Sequence, residues 1–216
     1  MKYLIIALNL LTITISLDAQ TMSDHDEKSK AILEKVSENY QKNKSIKFDF
    51  KLTILSEDLN ETQNGMAILY GDKFYYNTNE REVISDGESV WTYLPEDNEC
   101  YIDLVEDLEN SINPKEIFTI WKTGFKFQYI DKKIKNNQTY HKIKMFPENP
   151  NESKYHTLVM EINETTANID NATIKSKEGV TIKFHIKDLK ANSTLDMNKF
   201  LWDSSKYPNA DEIDNR

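Results

Sequence analysis

A single cysteine, Cys100, and five glycines are all that 216 residues contain of either type, and each scarcity removes a class of protein. One thiol cannot close an internal disulfide, so the core alone holds the fold, which in an exported chain suits a bacterial periplasm better than an extracellular scaffold. There is no Gly-rich phosphate loop, no Gly-x-Gly-x-x-Gly turn, no Gly-x-Ser-x-Gly elbow and no His-Glu-x-x-His. Positive charge is also short. With 27 Lys and Arg against 36 Asp and Glu, the net charge is -9, and a chain of that sign is repelled as a whole by nucleic-acid backbones and anionic membrane surfaces. No nucleic-acid partner is expected.

Long apolar runs are missing beyond the first 17 residues. There, Met1-Lys2 leads into a run from Tyr3 to Leu17 broken only by Asn9, Thr12, Thr14 and Ser16. The run is short for a membrane span, and Asp18-Ala19-Gln20 has the character of a cleavage neighbourhood, so residues 1–19 are expected to be a signal peptide and residues 20–216 one domain. No cysteine lies near that site to carry a lipid. The mature protein is expected to work unanchored, as a monomer.

What is present is periodicity. Ile32, Leu33, Val36 and Tyr40 recur at helical spacing and predict a helix over residues 29–42. From Ser45 the period drops to two, with Ile46, Phe48, Phe50, Leu52 and Ile54 alternating against Lys47, Asp49, Lys51 and Thr53, the pattern of a half-buried strand. Strands are predicted over residues 65–70, 73–77, 82–85, 89–94 and 100–104, and again over 125–133, 140–146, 155–162, 172–176 and 180–189. Gly71-Asp72, Asp86-Gly87 and Asn136-Asn137 supply turn chemistry, so neighbours are expected to be antiparallel. Asn113-Pro114, followed by Ile117, Phe118, Ile120 and Trp121 before Gly124, predicts a second, very apolar helix. The fold class is therefore mainly β: roughly ten antiparallel strands in a sheet that curls into a half-barrel or barrel, with the two helices expected to cover its open face, an architecture that implies a cavity.

No catalytic constellation stands out. His141, His156 and His185 are isolated within strand patterns and read as ordinary surface histidines, and Cys100 has no basic neighbour to activate it and reads as a small buried hydrophobe. No metal site or cofactor is expected. Apolar and aromatic residues instead exceed what simple alternation buries: Phe48, Phe50 and Leu52; Met66 and Ile68; Phe74 and Tyr76; Trp91 and Tyr93; and Ile117, Ile120 and Trp121 on the second helix. They are either plain core or the lining and lid of an apolar ligand cavity.

The ordered set Ala31-Ile-Leu-x-x-Val-x-x-x-Tyr40, Ile46-x-Phe-Asp-Phe50, Gly65-Met-Ala-Ile-Leu69, Phe74-Tyr-Tyr76 and Val83-Ile-Ser-Asp-Gly-x-x-x-Trp-x-Tyr-x-Pro95 resembles the periplasmic lipoprotein carrier family LolA. Phe200-x-x-Asp203 with Tyr207-Pro208 resembles the tail of Bacteroidetes-type members. The resemblance implies a strongly curved antiparallel sheet, a half-open β-barrel covered by α-helices that enclose an apolar cavity, and a periplasmic, non-enzymatic carrier: it takes acylated lipoproteins from an inner-membrane lipoprotein-releasing ABC transporter, shields their acyl chains, and passes them to an outer-membrane receptor. Related half-barrels bind other lipids or sense mislocalised lipoprotein, and a secreted hydrolase is the rival of a different class. Members place an Arg just before the segment matching Phe74, where it locks the lid; this chain has Tyr70-Gly-Asp-Lys73 there. A lysine is a point charge without the guanidinium fork, so that lock is not carried over.

Overall fold

The computed structural model describes residues 17–107 and 116–216. A helix, α1 (Leu17–Gln41), precedes β1 (Ser45–Leu55), β2 (Asn60–Tyr70), β3 (Lys73–Asn77), β4 (Glu82–Ser85), β5 (Ser89–Leu94) and β6 (Glu99–Leu104). After two short 3₁₀ turns, Glu116–Phe118 and Ile120–Lys122, come β7 (Phe125–Lys135), β8 (Gln138–Pro147), β9 (Tyr155–Asn163), β10 (Ile169–Ser176), β11 (Thr181–Ala191) and β12 (Asp211–Asp214). The strands form one sheet in the order β12-β6-β5-β4-β3-β2-β1-β11-β10-β9-β8-β7, open at β12 and β7. Every pairing among the described residues is antiparallel except that of β12 with β6. Register breaks at Lys47/Asp49, Tyr129/Asp131 and Ile169/Asn171 add local twist and curvature, which bend a sheet of this width around its inner face.

The first helix contains the predicted stripe: Leu33 and Val36 are fully buried, and Ile32 and Tyr40 pack against the same core. It begins at Leu17, well before the expected start. The second helix is a correction. Its opening at Asn113-Pro114 lies outside the described residues, and residues 116–122 are not α-helical but form the two 3₁₀ turns, separated at Thr119 (φ -134°, ψ -12°). A segment this short, with β-branched Ile117, Thr119, Ile120 and Thr123, has little to gain from α-helical hydrogen bonds, and burial of its side chains sets its path instead. Two strand features also escaped the periodicity. β2 starts at Asn60, because the polar run 60–64 is held by ladder bonds to β1, and β12 is an acidic segment, Asp-Glu-Ile-Asp, placed by backbone pairing with β6 and by the Trp202 indole N–H donating to Glu212 at 2.7 Å.

The sheet buries apolar side chains on both faces. Its inner face, under α1, holds the main core, including Phe48, Leu69, Phe74, Ile143, Met145 and Met160. Its outer face over β2–β5 holds Ile68, Tyr75, Ile84 and Phe200, with Met66, Trp91, Leu195 and Trp202 against them. The C-terminal segment after β11 crosses this outer face to reach β12, which is why half the sheet lacks the polar-out alternation of an ordinary strand. Gly65 lies opposite Phe50 in register, and a Cβ there would overlap the Phe50 ring and the Asn77 carbonyl oxygen. Gly65→Ala should therefore destabilise the fold by about 1–3 kcal/mol, the usual cost of overpacking, seen as a lower urea midpoint; an unchanged midpoint would show that the Phe50 ring moves aside freely.

Candidate functional site

The inner face of the sheet and its cover form the candidate site. Phe48 and Phe50 extend from β1 beside Phe184 of β11, with ring centroids at 6.2 Å and 5.0 Å, and Leu52 packs on the same side further along. Phe74 and Tyr76 of β3 continue this face. Ile117, Phe118, Ile120 and Trp121 of the 3₁₀ segment close over it together with α1. Tyr40 of α1 stacks on Phe118 at 4.8 Å with rings 3° from parallel, Phe48 meets Phe118 edge-on at 6.2 Å, and Trp121 meets Phe127 of β7 at 6.1 Å. Burial raises the phenol pKa values of Tyr40 and Tyr76, with the Asp72 charge adding to the shift at Tyr40 and Arg81 partly offsetting it at Tyr76, so both stay neutral. The face presents rings and aliphatic groups.

One polar device joins the two parts of the cover. The Ser37 hydroxyl donates to the Phe118 carbonyl oxygen at 3.0 Å and accepts from Trp121 Nε1–H at 3.1 Å. Ser37 is almost fully buried. A single hydroxyl thus satisfies two buried groups that the turn geometry leaves unpaired. The sequence did carry a signal for it: Leu33, Val36, Ser37 and Tyr40 are spaced i, i+3, i+4, i+7, so Ser37 stands at an apolar-face position of α1.

A second contact ties α1 to the open edge of the sheet. Lys28 lies over the Tyr129 ring, 3.7 Å from its centroid; the Tyr129 hydroxyl and His141 Nδ1 are 2.9 Å apart, and His141 Nε2 is 3.2 Å from Glu164 Oε1. This corrects the view of His141 as a surface residue: it is 6% exposed. Burial pushes its imidazole below the usual range, against the pull of Glu164. Cys100 is buried, and burial, with the Glu212 charge adding, pushes its thiol up to about 12. Among the described residues no group of three His, Cys, Asp or Glu side chains is arranged to hold a metal, and no helix is long and apolar enough to cross a membrane.

The family profile described as outer membrane lipoprotein carrier protein LolA matches residues 41–203. The chain belongs to the LolA family. No curated protein sequence matches it. Among solved structures, an uncharacterized conserved protein from Thermus thermophilus aligns with a TM-score of 0.58 at 8% identity, covering 87% of this chain and 99% of that one. LprF from Mycobacterium bovis aligns at 0.51 with 11% identity, over 79% and 96% of the two chains. The Mycobacterium tuberculosis lipoprotein LppX aligns at 0.50 with 11% identity, over 79% and 98%. At such identities the likeness is one of fold: the open, curved, helix-covered sheet described above.

Set within the LolA fold, the twelve residues expected to line the cavity and lid divide into two groups. Phe48, Phe50, Leu52, Phe74, Tyr76, Ile117, Ile120 and Trp121 come together on the inner face or its cover. Met66, Ile68, Trp91 and Tyr93 do not: the strand alternation turns them outward, where Met66, Ile68 and Trp91 join the second core and Tyr93 lies against Trp202 and Tyr207 at 6.1 Å and 4.6 Å. Two clefts, of about 390 and 320 Å³, lie at the rim beside Lys44 and Tyr70 and under Lys199 and Tyr207 on the outer face. The centre of the inner face is tightly packed, with Phe48, Ile143, Met145 and Met160 at 0% exposure, whereas Leu52, Tyr76, Ile120 and Phe184 are only partly buried.

Two measurements test this geometry. Ser37→Ala strands the Phe118 carbonyl and the Trp121 N–H at a cost of about 1–3 kcal/mol, so amide exchange over residues 117–122 should quicken more than in the β-strands, and equal protection would place the latch elsewhere. For His141 the folded-state pKa lies below its unfolded value of 6.5. The unfolded chain therefore takes up the proton first, and the stabilising effect is full above that pH and lost as pH falls from it towards the folded pKa. His141→Gln should flatten the drop in melting temperature between neutral pH and the low fives, and a parallel profile would assign the drop to other groups.

Proposed function

We propose that this LolA-family protein is a periplasmic carrier that shields lipoprotein acyl chains against its inner face, after export and loss of residues 1–19. It takes acylated lipoproteins from an inner-membrane ABC transporter, delivers them to an outer-membrane receptor, and performs no covalent chemistry. The observation that carries this reading is a predominantly apolar inner face, whose few polar side chains such as Gln63, Ser85 and His141 are bonded within the protein, closed by a cover that touches it through side chains and is joined across by one hydroxyl. Acyl chains have no hydrogen bonds to offer, and this surface asks for none. Phe48, Phe50, Leu52, Phe74 and Tyr76 would line the bound chains, and Ile117, Ile120 and Trp121 would form the movable wall.

Release constrains the mechanism. Burying a methylene is worth about 0.8 kcal/mol, so three enclosed acyl chains would be held too tightly to leave a rigid cavity. A packed centre of the inner face meets this constraint, because bound chains must displace Phe118 and forfeit the contacts it makes with Tyr40 and Phe48, while Trp121 stays against them as wall. The closed form then competes with cargo, and net affinity is the difference. Trp121→Ala is expected to weaken retention of acylated cargo in a pull-down while leaving the sheet folded. Mass spectrometry of protein purified from its native compartment should show co-purifying acylated peptide. Repeated absence of any lipid, or undiminished retention by Trp121→Ala, would sink the reading.

A further inference from the structure

The hairpin of β7 and β8 stands apart in charge. Residues 125–147 carry six lysines and one acidic residue, Asp131, in a chain of net charge -9. Its tip, a tight turn with Asn136 at φ 51° and Asn137 at φ 58°, lies at the end of the sheet where β1 begins and β2 ends. At the other end the β1–β2, β3–β4, β5–β6 and β8–β9 turns carry Glu57, Asp58, Glu80, Glu96, Asp97 and Glu148. The molecule is thus polarised along its strands, acidic at one end and basic at this corner of the other.

The same hairpin exposes aliphatic surface. Ile134 is 75% exposed and Ile130 is 42% exposed. Lysines on an edge strand are explained by protection against edge-to-edge pairing. The isoleucines between them are not, since protection would favour polar residues there. Ile134 pairs with Thr139 and Lys132 with His141, and directly opposed residues of an antiparallel pair share a face, so Ile134 and Lys132 project from the side that α1 covers. Lys133 pairs with Glu161 at 2.6 Å; Lys132 and Lys135 have no ion-pair partner among the described residues.

An aliphatic tip ringed by long cationic side chains suits an interface that is apolar a few ångströms down and anionic at its surface. The lysine stems lie along hydrocarbon while their ammonium groups stay among phosphates. We propose that the β7–β8 hairpin docks this protein on anionic lipid bilayers, with Ile134 entering at headgroup depth and Lys132 and Lys135 binding lipid phosphates. The global negative charge disfavours such a surface, but polarity overcomes it locally: screening confines charge effects to about 8–10 Å at physiological salt, most of the acidic turns sit at the far end of the strands, and Glu164, the acid in the turn beside the tip, faces His141 at 3.2 Å. Docking there brings the Lys28–Tyr129 side of the cover to the membrane.

Flotation of cargo-free protein with phosphatidylcholine vesicles, with and without phosphatidylglycerol, tests this independently of the carrier reading. Binding is expected to the anionic vesicles alone and to fall with salt. Ile134→Ser should lower the bound fraction roughly tenfold, and Lys132→Gln with Lys135→Gln by about tenfold or more, with circular dichroism unchanged because these side chains are exposed. Leu59→Ser, at the acidic end and 44% exposed, should bind as the unaltered protein does. Equal binding to both vesicle types, or full binding by the hairpin variants, overturns the proposal. A hairpin built to meet an acidic protein surface would leave vesicles unbound at every salt concentration, and that result overturns it too.

Discussion

An open sheet lined with Phe48, Phe50, Phe74 and Phe184 cannot face water. Each such ring is worth roughly 1.5–3 kcal/mol when buried, and the sheet does not close on itself to bury them, so a separate layer has to cover the inner face. In this protein that layer is α1 and the 3₁₀ segment. Neither makes ladder hydrogen bonds to the sheet, and neither would hold its conformation without it. Their mutual link through Ser37 makes them one cover. That attachment is mainly non-directional, which is what the proposed carrier role requires of a cover that yields to acyl chains.

The same demand appears on the other face. Over β2–β5 the outward side chains Met66, Ile68, Tyr75, Ile84 and Trp91 are also apolar, and the segment running from β11 to β12 wraps them with Phe200 and Trp202. The β2–β5 part of the sheet is thus covered on both faces. The β7–β8 half is covered on one side, ends in an exposed edge and carries the basic tip. A doubly covered wall, a singly covered half and a charged edge thus occupy different parts of a single sheet.

Much of this was legible in the residues. The change of period at Ser45 marks where helix gives way to sheet, and Gly71 and Asn136-Asn137 sit at turns whose positive φ they tolerate. Errors arose where local pattern and tertiary demand part company. The stretch 117–122 looks helical because its apolar residues are spaced for it, yet it lies against the sheet in two 3₁₀ turns. His141 looks like a strand surface residue, yet Tyr129 and Glu164 converge on it from β7 and the turn after β9.

Sequence by itself determined most of the element types, the antiparallel neighbours from β1 to β11, the apolar stripe of α1 and the family to which the order of motifs points. Tertiary structure alone decided which face is inner. A period of two says that a strand has two faces, and where both are apolar, as in Met66-Ala67-Ile68-Leu69, it says nothing about which one meets the helix. That choice follows from the curl of the whole sheet and from which segment arrives to cover each side. It is the reason Phe74 belongs to the candidate site while Trp91 and Tyr93 lie behind it.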